Sequence, residues 1–300
     1  MSSSWFDAVI VGGGPAGLTA ALYMVRFRRD VMVIDGGASR AAWIPTTHNH
    51  PGFPDGVSGE ALLDLQRRHA LRYGAKIQPG EVEALAVEAE GFTLNVDGAS
   101  LRARTVLLAC GVEDNAPDLP EVDVSVRNTL LRICPICDGF EVTGQRVGVI
   151  GHGPLGAREA LFLRTYTDQL TLIHVAASDA LPEAEREQLA RAGVRIIEAP
   201  INSVELQPDQ PRALCFSGAG RLEFDALYSA LGVTPRTGLA LAAGARHDDQ
   251  GRLVVDDHQQ TSIAGLYAAG DMVRGLNQIT TAQGEAAIAA TAMHNRLRGL

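Results

Sequence analysis

The stretch DAVIVGGGPAG, residues 7–17, decides how the rest of the chain is read. A short apolar run of strand length meets three glycines, and the segment that follows, AGLTAALYMVRF, has helical spacing. Strand, glycine turn and helix in that order open a βαβ unit. Gly12 permits the tight turn, Gly14 lets backbone approach a pyrophosphate, and Gly17 lets helix and strand touch. Pro15 and Ala16 complete the turn at the positive end of the helix, where phosphates meet unpaired N–H groups. The next strand, VMVID, ends at Asp35, 21 residues beyond Gly14. A carboxylate there, with Gly36 after it, can hold ribose hydroxyls.

The same plan recurs about 140 residues later as RVGVI, GHGPLG, AREALFLRTY and LTLIH. Its glycines are Gly151, Gly153 and Gly156. Two such starts in 300 residues predict an α/β chain of two Rossmann-like, three-layer nucleotide-binding domains with parallel sheets. The second unit departs at its ribose end. There His174, Val175, Ala176, Ala177 and Ser178 supply neither a carboxylate nor an arginine cluster, and Asp179 comes late. Two readings stay open: a nucleotide site, or a nucleotide fold that has lost its nucleotide.

Composition limits the partners. A net charge of −9 argues against nucleic acid and against an anionic membrane surface. The N-terminus has no basic region before its apolar run, so neither an export signal nor a membrane span is expected, and the cytoplasm is the expected compartment. The four cysteines are Cys110, Cys134, Cys137 and Cys215. Cys134 and Cys137 form a CxxC pair in RICPICDGFE, followed at once by Asp138. Such a pair trades electrons by thiolate attack, and a neighbouring carboxyl can carry the proton. Zinc would need two more ligands in suitable spacing, and buried inert thiols are the bland alternative. Beside two nucleotide folds, redox chemistry is the expectation. His48 and His50 in TTHNHPG lack a third ligand, so no metal is expected. Trp43 and Phe53 flank that loop, where they could cover a flat aromatic cofactor or simply pack.

Taken together, GGGPAG, CPICDG and TSIAGLYAAGD resemble the low-molecular-weight thioredoxin reductases over nearly the whole chain, in order and at similar spacing. The resemblance implies an FAD domain built from both chain ends, 1–113 and 237–300. An inserted pyridine-nucleotide domain, 114–236, carries the redox cysteines, in a homodimer. Gly12, Gly14 and Gly17 match the FAD pyrophosphate turn. Asn49 matches an asparagine beside the flavin, Val82 a backbone contact to adenine, and Asp271, after Gly270, the ribityl-binding aspartate. Gln278 and Ile279 match backbone near the pyrimidine edge, and Gly111 is counted with the same site. Cys137 matches the sulfur nearer the flavin, Cys134 the interchange thiol, and Asp138 the proton relay. Rotation of the inserted domain would present Cys134 to a thioredoxin-like protein.

Two departures matter. The family clamps the 2′-phosphate of NADPH with His-Arg-Arg and a further arginine, and here Val175 and Ala176 follow His174. Losing two or three charge-assisted contacts, each about 1.5–3 kcal/mol, weakens NADPH binding by orders of magnitude. In the flavin-side loop, GGASRAAWIP replaces the usual Gly-Gln-Leu run, and its Arg40 either approaches the flavin or is solvated. The expectation is an atypical, FAD-dependent thiol–disulfide oxidoreductase. It does not rely on NADPH or NADH, and a ferredoxin, another flavin or another carrier feeds it. GHGPLG is empty or holds a second flavin. The rival readings are an orthodox NADPH thioredoxin reductase, an oxygen-dependent oxidase of small dithiols, and a non-enzymatic redox sensor.

Overall fold

The computed structural model describes residues 5–120, 122–175, 181–207, 212–217 and 220–300. Along the chain, β1 (Phe6–Val11) leads through the glycine turn into α1 (Pro15–Arg26) and returns as β2 (Val31–Asp35). Pro15 occupies the first turn of α1, where its missing N–H costs nothing. After a loop, α2 (Gly59–Arg72) begins at Ser58, whose hydroxyl accepts from the Ala61 N–H at 3.2 Å. Then come β3 (Lys76–Pro79), β4 (Val82–Glu88), β5 (Gly91–Val96), β6 (Ala99–Leu108) and β7 (Val112–Asp114).

The chain continues with α3 (Val122–Arg127), β8 (Leu131–Arg132), α4 (Pro135–Asp138), β9 (Val147–Gly151), α5 (Gly153–Leu163), β10 (Leu170–His174), α6 (Glu183–Arg191) and β11 (Arg195–Glu198). A hairpin region follows: β12 (Val204–Gln207), β13 (Arg212–Ser217) and β14 (Gly220–Phe224). Then β15 (Ala226–Ala230), β16 (Val233–Pro235), α7 (Gly238–Ala242), β17 (Leu266–Ala268) and α8 (Ile279–Leu297) complete the described elements.

Two compact units result. One comprises residues 1–42, 58–113 and 234–300, the other residues 43–57 and 114–233. In the first, β3, β2, β1 and β6 pair in parallel, β5 and β4 extend the sheet antiparallel, and β17 joins the end of β6 in parallel. The strands of the second unit run β11-β10-β9-β15-β8, all parallel, and β12-β13-β14 form a separate antiparallel sheet. Each first strand is therefore central, with the glycine turn at its carboxyl end, where α/β sheets place their ligands. β7 and β16 pair with each other where the chain passes between the units.

The terminal helix is held by small residues. Ala282, Ala286, Ala289, Ala290 and Met293 form a buried stripe of helical period on α8. They share a core with Ala16, Ala20, Ala21 and Met24 of α1. Alanine on both faces lets the helices lie close, and this fixes the chain's end beside the first glycine turn. The loop at 43–57, assigned from the sequence to the first domain, groups instead with the second unit. Within that unit Asn49 Nδ2 donates to the Ile136 carbonyl at 3.3 Å. Among the described residues, no helix is long and apolar enough to cross a membrane.

Candidate active site

The first glycine turn leaves no room for side chains. Gly12 has φ +116°, and a Cβ on it would lie 2.3 Å from the Ala109 oxygen. A Cβ on Gly17 would fall 1.9 Å from the Gly12 oxygen, so helix and turn touch backbone to backbone. Gly14 caps α1 with no side-chain bond, and no acid stands in the first turn, so the positive helix end suits an anionic ligand. The Asp35 carboxylate lies directly over the turn, where a Cβ on Gly13 would come within 2.2 Å of Asp35 Cγ. Its Oδ1 accepts from the Gly37 N–H at 2.9 Å, and its Oδ2 pairs with Arg67 of α2. Gly36 follows at the strand end. The Gly80 N–H bonds the Asp35 carbonyl at 3.1 Å, two residues before buried Val82.

Two later segments join this turn. Gly270, at φ +82°, presents its Cα so that a Cβ would meet Ala16 Cβ at 3.3 Å. Its N–H donates to Glu285 Oε2 of α8 at 2.7 Å, and burial pushes the Glu285 carboxyl above the usual range. Asp271 follows, with Arg40 Nη1 3.6 Å from its Oδ2. Arg40 therefore faces the aspartate instead of standing in solvent. Gln278 caps α8, and Ile279 begins it. Gly111, at φ +68°, accepts the Arg236 N–H at 3.0 Å.

In the second unit Cys134 and Cys137 are joined in a disulfide, with Cα atoms 5.3 Å apart. Cys134 caps the single turn α4, and its sulfur accepts the Cys137 N–H at 3.2 Å. Asp138, next in the chain, is clamped. Arg132 Nη1 donates to its Oδ2 at 2.7 Å, and the Tyr228 hydroxyl lies 2.8 Å from its Oδ1. Burial raises the Asp138 carboxyl above its ordinary range, against the opposing pull of Arg132 and of the Tyr228 phenol. Burial and the charge of Asp138 push the phenol of Tyr228 up in turn.

The second glycine turn is built like the first but is answered differently. A Cβ on Gly151 would lie 2.7 Å from Gly156 Cα, so these two glycines again bring strand and helix together. Gly153 takes φ +50° and points its N–H at His174 Nε2, 3.5 Å away. His174 is buried, and its Nδ1 lies 2.7 Å from Glu198 Oε2 at the end of neighbouring β11. Arg186 of α6 pairs with the other Glu198 oxygen. Burial works against the Glu198 charge, but Arg186 and His174 outweigh it and hold the carboxyl below its usual range. Ala176, Ala177, Ser178 and Asp179 lie outside the described residues.

Comparison with known proteins agrees with this geometry. Residues 6–286 match the family described as pyridine nucleotide-disulphide oxidoreductase. The chain is 31% identical to a thioredoxin reductase of Mycolicibacterium smegmatis over 96% of both chains. The chain belongs to the thioredoxin-reductase-like pyridine nucleotide-disulphide oxidoreductases. A thioredoxin reductase structure from Streptococcus pyogenes matches it with TM-score 0.90 and 26% identity over the whole of both chains. The structure of the protein HlmI matches with TM-score 0.88 and 31% identity over 98% of this chain and 93% of the other.

This thioredoxin-reductase-like chain is thus an enzyme of disulfide redox chemistry, and the family implies FAD. The residues present fit that group. The first turn is stripped to backbone at Gly12 and Gly17, a carboxylate overlies it, and the Gly270–Asp271 corner abuts it. Among the described residues no cluster of His, Cys, Asp or Glu is arranged to hold a metal. The ring of His50 stacks on Phe53, with centroids 5.4 Å apart. The structure gathers Gly12, Gly14, Pro15, Ala16, Gly17, Asp35, Gly36, Arg40, Val82, Gly270 and Asp271 in the first unit. It places Asn49 with Cys134, Cys137 and Asp138 in the second. Sequence reasoning missed Arg67, Arg132, Glu198, Tyr228 and Glu285. Arg67, Glu198, Tyr228 and Glu285 act from elements remote in sequence, and Arg132, only six residues from Asp138, reaches it through the fold of the α4 turn and not through a recognisable motif.

Proposed function

We propose that this chain passes electrons between FAD and a disulfide of a thioredoxin-like protein through Cys134 and Cys137, and that its reductant is not NADPH. Bound FAD supplies two electrons at a time. The first unit's turn, Asp35 and Asp271 would hold it, with backbone N–H groups toward the pyrophosphate, Asp35 toward the adenosine ribose and Asp271 toward the ribityl chain. Val82 and Gln278–Ile279 contribute backbone, and Arg40 steadies Asp271. The observation that carries the reading is the Cys134–Cys137 disulfide, with Asp138, the next residue in the chain, clamped by Arg132 and Tyr228. Once the pair is reduced, the Cys137 N–H supports negative charge on the Cys134 sulfur, which makes Cys134 the attacking thiolate.

What supports a donor other than NADPH is the second turn. His174 is committed to Glu198, Val175 brings no charge, and Arg186 is also paired with Glu198, so a 2′-phosphate would meet a carboxylate. A ferredoxin-type protein or a second flavin in this unit is the alternative source. The intact glycines and the thioredoxin reductase relatives favour one second reading, ordinary NADPH use. A homodimer in the cytoplasm completes the proposal. The test is to photoreduce the holoenzyme without oxygen and mix it with oxidised thioredoxin. Stoichiometric reduction of thioredoxin, lost in Cys134→Ser, is expected, and its retention in Cys134→Ser would refute the assignment.

A further inference from the structure

Arg132 and Tyr228 are directly paired residues on the adjacent parallel strands β8 and β15. Both side chains reach Asp138, although Tyr228 is 90 residues away in sequence. Tyr228 is fully buried, and the Arg132 side chain is only 12% exposed. The phenol oxygen lies 2.8 Å from Asp138 Oδ1 and 3.1 Å from the Asp138 carbonyl oxygen. A phenol has one proton to donate and lone pairs to accept with. With the carboxylate ionised, the phenol donates to Oδ1. With Oδ1 protonated, it accepts that proton and turns its own toward the carbonyl. Arg132 holds Oδ2 at 2.7 Å and has no acceptor role, so it keeps that oxygen unprotonated and directs the proton to Oδ1.

We propose that Arg132 and Tyr228 are positioning residues that hold the Asp138 carboxyl in one orientation in both protonation states, so that it can take up and return a single proton during dithiol exchange. The proposal rests on the thiol–disulfide function given above. In the exchange, Cys134 passes its proton to Asp138 and attacks the partner disulfide as thiolate. That S–S bond breaks, and the departing partner sulfur takes the proton back from Asp138. Cys137 then attacks the mixed disulfide, which restores the Cys134–Cys137 bond and releases the second partner sulfur, with the proton of Cys137. Two electrons move from the cysteine pair to the partner, and Asp138 ends as it began. Other titratable groups facing this place are Glu141, in the turn after α4, and Tyr166, whose ring closes on Gly139.

The test is the pH profile of exchange between the reduced holoenzyme and oxidised glutathione. Asp138 acts as base, so the rate falls as pH drops through its titration, and Asp138→Asn should abolish that limb. Removing a cation or a donor from a carboxylate disfavours its ionised form. Arg132→Met should therefore move the limb to higher pH by about one unit or more. Tyr228→Phe should move it less in the same direction, and Arg132→Lys should bring it back toward wild type. If the limb disappears in Asp138→Asn but stays in place in Tyr228→Phe and Arg132→Met, the clamp is structural only and the proposal fails. If the limb survives Asp138→Asn, Asp138 is not the base and the proposal fails, whereas exchange that persists in Cys134→Ser would instead be a failure of the underlying function. Should Arg132→Met not yield folded protein, Tyr228→Phe decides alone.

Discussion

In the proposed exchange, Asp138 is the one carboxyl of the second unit that carries a proton. Its burial raises its proton affinity in the folded state above the unfolded value of about 3.9. Such a group contributes stability that is full below the unfolded pKa and is lost as pH rises through the folded one. Asp138→Asn removes this dependence. The melting temperature of the variant should therefore gain on wild type as pH rises from the acid side through the carboxylate range, as scanning calorimetry would show. A difference that is flat with pH would contradict the assigned shift. In turnover, Asp138→Asn should be slower by about 10²–10⁴-fold, the usual worth of a positioned proton carrier. The cysteines and Asp138 were legible because they are contiguous in CPICDG. Tyr228 was not, because only the pairing of β8 with β15 brings it to the carboxyl.

At the level of elements, the glycine turns and helix faces carry the binding geometry. Gly17→Ala would drive a methyl to 1.9 Å from the Gly12 oxygen, a backbone atom that cannot swing aside. The cost is about 1–3 kcal/mol of overpacking, and because the displaced turn is the proposed FAD cradle, the purified variant should carry well under one FAD per chain. Ala286 sits fully buried in the core that α8 shares with α1. Ala286→Leu should destabilise the first unit by about 1–3 kcal/mol in denaturant unfolding. Elements of this kind read well from sequence, since strand length, glycine spacing and helical period are local signals. The membership of the loop at 43–57 did not. It follows from contacts such as that of Asn49 with Ile136, 87 residues on. Glu198 was equally invisible, since it meets His174 only through the β10–β11 pairing.

For the whole molecule, the question is where its electrons enter. Cys134 and Cys137 are joined in a disulfide, whereas at the second glycine turn Glu198 already engages both His174 and Arg186. We propose that the Cys134–Cys137 pair exchanges electrons with bound FAD without help from NADPH. This is tested most directly by anaerobic stopped-flow absorbance of the yellow holoenzyme, mixed separately with dithiothreitol and with NADPH. Dithiothreitol should bleach the wild-type flavin but not that of Cys134→Ser or Cys137→Ser, and micromolar NADPH should leave it oxidised. Bleaching by micromolar NADPH within milliseconds would show instead that NADPH is the reductant.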